Sequence, residues 1–284
     1  MEQRFKEEQN ISKYHSYGIN AKARFLTSIT SEGELQVAIA FAKERKLEYL
    51  FLGKGSNLLF RNDYYPGLII VNKMTAYQIT GTIVYAESGV SLPLLCRKTA
   101  KNDLSGLEAL VGVPGTVGGS VFMNAGVSGN EISKHLISVR VLKEDGKIII
   151  MDKNQCAFAY RKSIFHEGTD LLLGATFSLS HSAEAKQMIN QYLKQRVKTQ
   201  PIEMKNSGCV FKNPVHEFAA GQLIDQCGLK GLTCGGAEVS TKHANFINNQ
   251  NNATFADVFN LMNKVQERVL EEVGVKLECE VRII

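Results

Sequence analysis

"GVPGTVGGSVFMNAGVSG", residues 112–129, is the stretch on which the reading of this chain turns. Six of its eighteen positions are glycine, most of the others are small or apolar, and none is charged. Connecting loops run along the surface and are usually polar, so an uncharged glycine run raises the question of what its backbone presses against. A second such stretch, "GKGSN" at 53–57, follows the strand-like "EYLFLG". Without a Cβ, successive glycines can turn their amides inward and let main chain approach a phosphate closely. Ser56, Asn57, Thr116 and Asn124 would add neutral hydrogen bonds. The same composition also suits tight turns and close strand packing, and the residues alone leave both readings open. The usual nucleotide signatures are missing. Gly53-Lys54-Gly55-Ser56-Asn57-Leu58 lacks the third glycine of a dinucleotide fingerprint, and Gly53-Lys54 is not followed by Ser or Thr as a Walker loop requires.

Outward from these stretches the chain alternates helix and strand patterns. Residues 31–45 read as a helix, with Ser31 and Glu34 as a capping box and Leu35, Ala38, Ile39 and Ala42 on one face. "GLIIVN", "IVYAES" and "DLLLGATFSLS" read as strands. A helix is expected from Ser91 to about Asn102, and a hairpin over 138–151 turning at Asp145-Gly146. Beyond residue 180 the pattern predicts helices at 183–197, 219–227 and 255–273, the last starting at Thr254 and stopped by Gly274. In the tail "KLECEVRII", Leu277, Cys279, Val281 and Ile283 alternate with Glu278, Glu280 and Arg282 as in a strand. An α+β fold is expected, with a strand-rich domain over 1–180 (subdomains about 1–66 and 67–180) and a smaller α/β domain over 181–284.

The chain has 284 residues, 44% hydrophobic and 21% charged, as a globular protein has. A net charge of +5 is too small to argue for nucleic acid but suits an anionic small molecule. None of the six cysteines forms a Cys-x-x-Cys pair, which disfavours a zinc knuckle or redox dithiol. The start "MEQRFKEEQN" lacks the apolar core of a secretory signal, and no apolar run reaches the length of a membrane span. A cytoplasmic protein with reduced cysteines and no metal is expected.

Seven segments in order, "LGKGSNLLF", "SGLEALVGVPGTVGGSVFMNAG", "FAYRKSIF", "GCVFKNP", "AAGQLIDQCGLKG", "GGAEVSTKHANFINN" and "KLECEVRII", resemble the UDP-N-acetylenolpyruvoylglucosamine reductase family, in its compact subtype. The resemblance runs from about His15 to Ile284. It implies an FAD-binding domain of the vanillyl-alcohol-oxidase (PCMH) type and a separate substrate-binding domain. It further implies reduction of UDP-N-acetylglucosamine enolpyruvate to UDP-N-acetylmuramate with NADPH. A monomer is expected. Gly53, Gly55, Ser56 and Asn57, with Gly115, Thr116, Gly118 and Gly119, would then wrap the FAD diphosphate. Neither stretch contains His or Cys, so the flavin is expected to be non-covalent.

By the same resemblance Arg161 in "YRKSIF" would polarise the substrate carboxylate and enolate, a task for a planar fork that is charged at any working pH. Glu280 would help handle the enol or orient the proton donor. Cys209 stands where the commoner pattern has a serine proton donor, and a thiol is a stronger acid than an alcohol yet largely protonated near neutrality. Ser207, two residues away, is the fallback donor if the segment is extended. Asn213, Asn245 and Arg196 match positions that contact the sugar nucleotide, and His243 is read as structural. Departures from the pattern are "GINAKA" in the amino-terminal segment, where many relatives have a Gly-Gly pair, and Ser128, where an aromatic residue often follows. Two other readings stay open: an oxidase of the same fold, and a non-catalytic descendant with an altered donor.

Overall fold

The computed structural model describes residues 4–127 and 129–284; Ser128 lies outside the described residues. The chain divides into two compact units that interleave along the sequence. The first comprises the residues up to Lys6, Phe25–Lys54 and Gly67–Gln195; the second comprises Glu7–Arg24, Gly55–Pro66 and Arg196–Ile284. The sequence pattern suggested one cut near 180. The units instead place the amino-terminal residues Glu7–Arg24 and the segment Gly55–Pro66 with the carboxy-terminal third. No change of composition marks those crossings.

The first unit holds two hydrophobic cores. One forms under a five-stranded antiparallel sheet, in the order Ile148–Asp152, Leu136–Leu142, Leu171–Ser178, Ile83–Glu87, Tyr77–Thr80. Val84, Ala86, Val139, Val141, Ala175 and Phe177 line its buried face, with Leu92, Leu95 and Cys96 of the helix Leu92–Lys101 against them. Alternation fixes this register: Val139 and Val141 are buried while Arg140 between them is only half-buried, and Ile150, opposite Arg140, is 73% exposed. The expected hairpin is there, with Val139 opposite Met151 and Val141 opposite Ile149. The other core packs the helix Glu32–Glu44 through Leu35, Ala38 and Ala42 onto Leu68 and Ile70. Those last two lie on the strand Tyr64–Asn72, whose parallel neighbour is Tyr49–Leu52.

The second unit is built around the helix Phe255–Val273, which starts at the Thr254 cap and stops at Gly274, φ +74°. Its apolar stripe, Val258, Leu261, Met262, Val265 and Val269, is buried with Leu223 and Ile224 of the helix Ala220–Gln226 and with Tyr17 and Phe211. A three-stranded antiparallel sheet (Thr233–Cys234, Ala237–Val239, Ile247–Asn249) lies against the long helix. The tail departs from expectation. Only Arg282–Ile283 is a strand, parallel to Leu58–Leu59. The carbonyl of Val210 receives both Glu280 N–H, at 2.7 Å, and Val281 N–H, at 3.4 Å, which interrupts a regular ladder.

Candidate active site

In the first unit the two glycine stretches converge on one hydroxyl. A Cβ on Gly53 would sit 2.5 Å from Thr116 Oγ1, and one on Gly119 3.6 Å from the same atom. Gly118 presses on Ser88, where a Cβ would lie 2.7 Å from the serine Cβ. Gly115, at φ +135°, accepts from Leu92 N–H at 3.2 Å, and Lys54 Nζ donates to Ser91 Oγ at 3.1 Å. The stretch read as loop contains a short helix, Val117–Phe122, capped by Thr116, whose Oγ1 accepts from Gly119 N–H at 3.3 Å. Val117 and Gly118 give their N–H groups to Val90 O and Ser88 O, each at 2.8 Å. The amides of Gly118 and Gly119 thus already have acceptors in the fold, Ser88 O and Thr116 Oγ1, so main chain rather than an open N–H is what they would offer a ligand. Main chain this tightly drawn, where any side chain would intrude, fits a dinucleotide cofactor held through its backbone.

Arg161 sits in a two-residue turn closed in both directions, Ala159 N–H to Lys162 O at 3.0 Å and Lys162 N–H to Ala159 O at 3.1 Å. Its φ of +55° is unusual for a side chain of this size. The guanidinium lies 4.8 Å from the Tyr160 ring centroid, and its Nη2 donates to Gly126 O at 2.9 Å. Ser163 and Asn124 bind this turn to the end of the glycine-rich run, Ser163 Oγ donating to Phe122 O at 2.6 Å and Asn124 Nδ2 to Ala159 O at 3.0 Å. Neither role was foreseen. Ser163 lies inside "YRKSIF", and a small hydroxyl in an otherwise bulky segment is the signal that points to it.

In the second unit Gly55, at φ +60°, packs on the amino-terminal segment, where a Cβ would meet Tyr14 O at 2.1 Å. Ser16 N–H donates to Gly55 O at 3.1 Å. Asn57 joins this turn to the tail, its Nδ2 donating to Glu280 O at 3.0 Å and its carbonyl accepting from Arg282 N–H at 3.0 Å. Ser56 is half-buried in the same turn. Cys209, half-buried, opens a short extended segment held on two sides. It pairs with Phe246 while Phe211 pairs with Cys279. Val210 N–H donates to Asn245 O at 2.9 Å, and Glu280 N–H to Val210 O at 2.7 Å. Cys209 and the half-buried Glu280 are therefore carried on adjoining, hydrogen-bonded backbone.

Ser207 is not related to Cys209 by extended geometry, because Gly208 between them is left-handed at φ +81°. Its hydroxyl is buried without a well-formed hydrogen bond, as is that of Tyr17. Burial raises the Tyr17 hydroxyl to about 12, with Ser207 near enough to pull the other way. Arg196, half-buried, is pushed down by burial and opposed by the nearby Cys209 sulfur. Asn213 Oδ1 accepts from Ala220 N–H at 3.1 Å at the start of a helix. Asn245 spends its amide on the backbone of Phe211. His243 accepts from Asn245 N–H at 3.3 Å and packs on Phe246, with its imidazole pushed down by burial. Among the described residues no cluster of His, Cys, Asp and Glu is placed to hold a metal, and no helix is long and apolar enough to cross a membrane.

The sequence profile "UDP-N-acetylenolpyruvoylglucosamine reductase, C-terminal domain" matches residues 200–284, and "FAD binding domain" matches 23–152. A UDP-N-acetylenolpyruvoylglucosamine reductase of Chlamydia muridarum is 38% identical over 275 residues, 96% of this chain and 92% of its own. That of Protochlamydia amoebophila is 39% identical over the same shares. The crystal structure of the enzyme of that name from Thermus caldophilus superposes with a TM-score of 0.84 at 34% identity, covering 98% of this chain and 99% of that one.

Proposed function

We propose, on the premise that this chain belongs to the UDP-N-acetylenolpyruvoylglucosamine reductase family, that Arg161, Cys209 and Glu280 carry its chemistry. The reaction is the flavin-dependent reduction of UDP-N-acetylglucosamine enolpyruvate to UDP-N-acetylmuramate with NADPH, in peptidoglycan synthesis. Its FAD-binding portion is of the vanillyl-alcohol-oxidase type. When bound, FAD supplies C3 of the enolpyruvyl group with the hydride that NADPH furnishes. Gly53, Gly55, Ser56, Asn57, Gly115, Thr116, Gly118 and Gly119 would hold it without a covalent bond.

Arg161 grips the substrate carboxylate and, through it, the negative charge that gathers toward C2 as C3 becomes saturated. The bond to Gly126 O and the Tyr160 ring restrict the arginine before substrate arrives. Cys209 Sγ gives its proton to C2, leaving a thiolate that water reprotonates between turnovers. Glu280 orients that donor from the adjoining segment. Arg196 takes the substrate diphosphate, and its positive charge near Cys209 favours the thiolate left behind. Asn213 and Asn245 act through the backbone they hold. On this reading the enzyme is a cytoplasmic monomer.

The observation that carries the reading is the Glu280 N–H to Val210 O bond, which sets the acid's segment beside the carboxylate's. The test is an anaerobic titration of the FAD-loaded protein. NADPH is expected to bleach the flavin and the enolpyruvyl sugar nucleotide to restore its colour. Colour restored by oxygen alone would overturn the reading in favour of an oxidase.

A further inference from the structure

The glycine-rich run ends in a latch on the arginine turn, and one buried side chain is its centre. Asn124 is 1% exposed and left-handed at φ +43°. Its Nδ2 donates to Ala159 O and to Glu131 Oε2, each at 3.0 Å. Two acceptors fix the orientation of the amide, because turned over it would set its own oxygen against both. Ala159 closes the turn that presents Arg161. Glu131 pairs with Gly126, whose carbonyl accepts from Arg161 Nη2, so tightly that a Cβ on Gly126 would lie 2.8 Å from Glu131 Cγ. One amide thus holds the backbone that carries the arginine and the hairpin that anchors its head group.

Such a latch answers a specific need. The left-handed conformation of Arg161 is unfavourable for a residue with a Cβ and persists only where the surroundings over-determine it. The stretch Phe122–Gly126 supplies three holds on 159–163: Asn124 on Ala159, Gly126 on Arg161, and Phe122 on Ser163. Of these, Asn124 reaches both ends of the arginine through its side chain.

We propose that Asn124 is a positioning residue for Arg161, setting the guanidinium for the substrate carboxylate without touching substrate itself. This rests on the role given to Arg161 above. The test uses the FAD-loaded enzyme. Asn124→Asp keeps the size and tolerates the left-handed backbone but loses both donors, and Asn124→Gly keeps the backbone and removes the side chain. Both are expected to leave NADPH bleaching intact, to slow recolouring by the enolpyruvyl sugar nucleotide about 100-fold, and to weaken calorimetric binding of that nucleotide to the oxidised protein. In an Arg161→Ala background, Asn124→Gly should cost nothing further, because its effect runs through the arginine. Additive losses, or equal losses in both half-reactions, would mean a merely structural role and overturn the proposal. If Arg161→Ala slows recolouring and the Asn124 variants do not, this inference alone falls. If Arg161→Ala changes nothing, the role of Arg161 falls and takes the inference with it.

Discussion

The side-chain amide of Asn245 holds both backbone groups of Phe211, Oδ1 accepting from its N–H at 2.9 Å and Nδ2 donating to its C=O at 2.8 Å. Asn245 is 2% exposed and Phe211 1%, so water does not stand ready to replace either bond. Asn245→Ala is therefore expected to leave two buried peptide groups unsatisfied and to cost on the order of 3 kcal/mol, measured by denaturant unfolding. Sugar-nucleotide affinity of the folded protein should change little. A loss of affinity at unchanged stability would restore Asn245 as a direct substrate contact.

A methyl group at Gly53 has nowhere to go, with Thr116 Oγ1 at 2.5 Å and Thr116 Cγ2 at 3.1 Å. Thr116 cannot swing aside cheaply, because its Oγ1 caps the helix that follows. Gly53→Ala is expected to purify with little FAD and to lose about 1–3 kcal/mol of stability through overpacking. Gly33 is the control. It lies in the helix Glu32–Glu44 with nothing within 4 Å of a would-be Cβ. Gly33→Ala should leave FAD content unchanged and stabilise the protein by about 0.5–1 kcal/mol. Full FAD content in Gly53→Ala would show that the glycine serves packing alone.

The long helices were legible because their signals are local. Thr254, the stripe Val258 to Val269 and Gly274 mark their helix residue by residue. At the first helix the capping is modified: Ser31 Oγ accepts from Glu34 N–H at 3.3 Å, but the Glu34 carboxylate turns back to Thr30 N–H. The division into units was not legible, since it depends on where Tyr14–Gly18 and Gly55–Asn57 pack, a tertiary matter on which periodicity is silent. The tail failed as a strand for a similar reason. Its alternation is real, with Leu277 and Val281 buried, but Cys279 is exposed and the partner offers one carbonyl to two amides. At the site, residue types were legible and connections were not. Asn124 reads as a neutral hydrogen-bonding residue of the glycine run, and only folding shows that it grips Ala159 and Glu131.

Cys209 opens a segment fixed on both sides by backbone bonds, so exchanging its side chain should leave the frame unmoved. Cys209→Ser is expected to keep substantial activity. Cys209→Ala should bleach normally with NADPH and recolour with substrate about 100- to 10,000-fold more slowly, the usual scale for losing a positioned acid. Stopped-flow half-reactions separate the two. Ser207→Ala should leave recolouring intact, since that hydroxyl is buried and Gly208 breaks the extended path between 207 and 209. Unaffected turnover in Cys209→Ala together with slow turnover in Ser207→Ala would exchange the roles.

Acid should destabilise the fold through the buried His15 and the half-buried His135 and His243. His15 is 4% exposed, its Nε2 bonded to Ile19 O at 3.0 Å and its Nδ1 without a partner. Burial is the larger influence and holds its protonation below the ordinary value, against the smaller pull of the Ile19 carbonyl. The unfolded chain takes up this proton near pH 6.5, and the folded chain does so only at lower pH. Between those two values the unfolded state binds more protons, so stability rises with pH. This stability is fully present above about pH 6.5 and is lost as pH falls through the folded value. His135 and His243, pushed down mainly by burial as well, add to the same limb. His15→Phe fills similar space beside Phe60 and cannot titrate. It is expected to lose about 1 kcal/mol near neutrality with the Ile19 bond, yet to show a shallower fall in melting temperature between about pH 7 and about pH 5. An acid limb as steep as that of the unsubstituted protein would mean that His15 protonates in the folded state as readily as in the unfolded one.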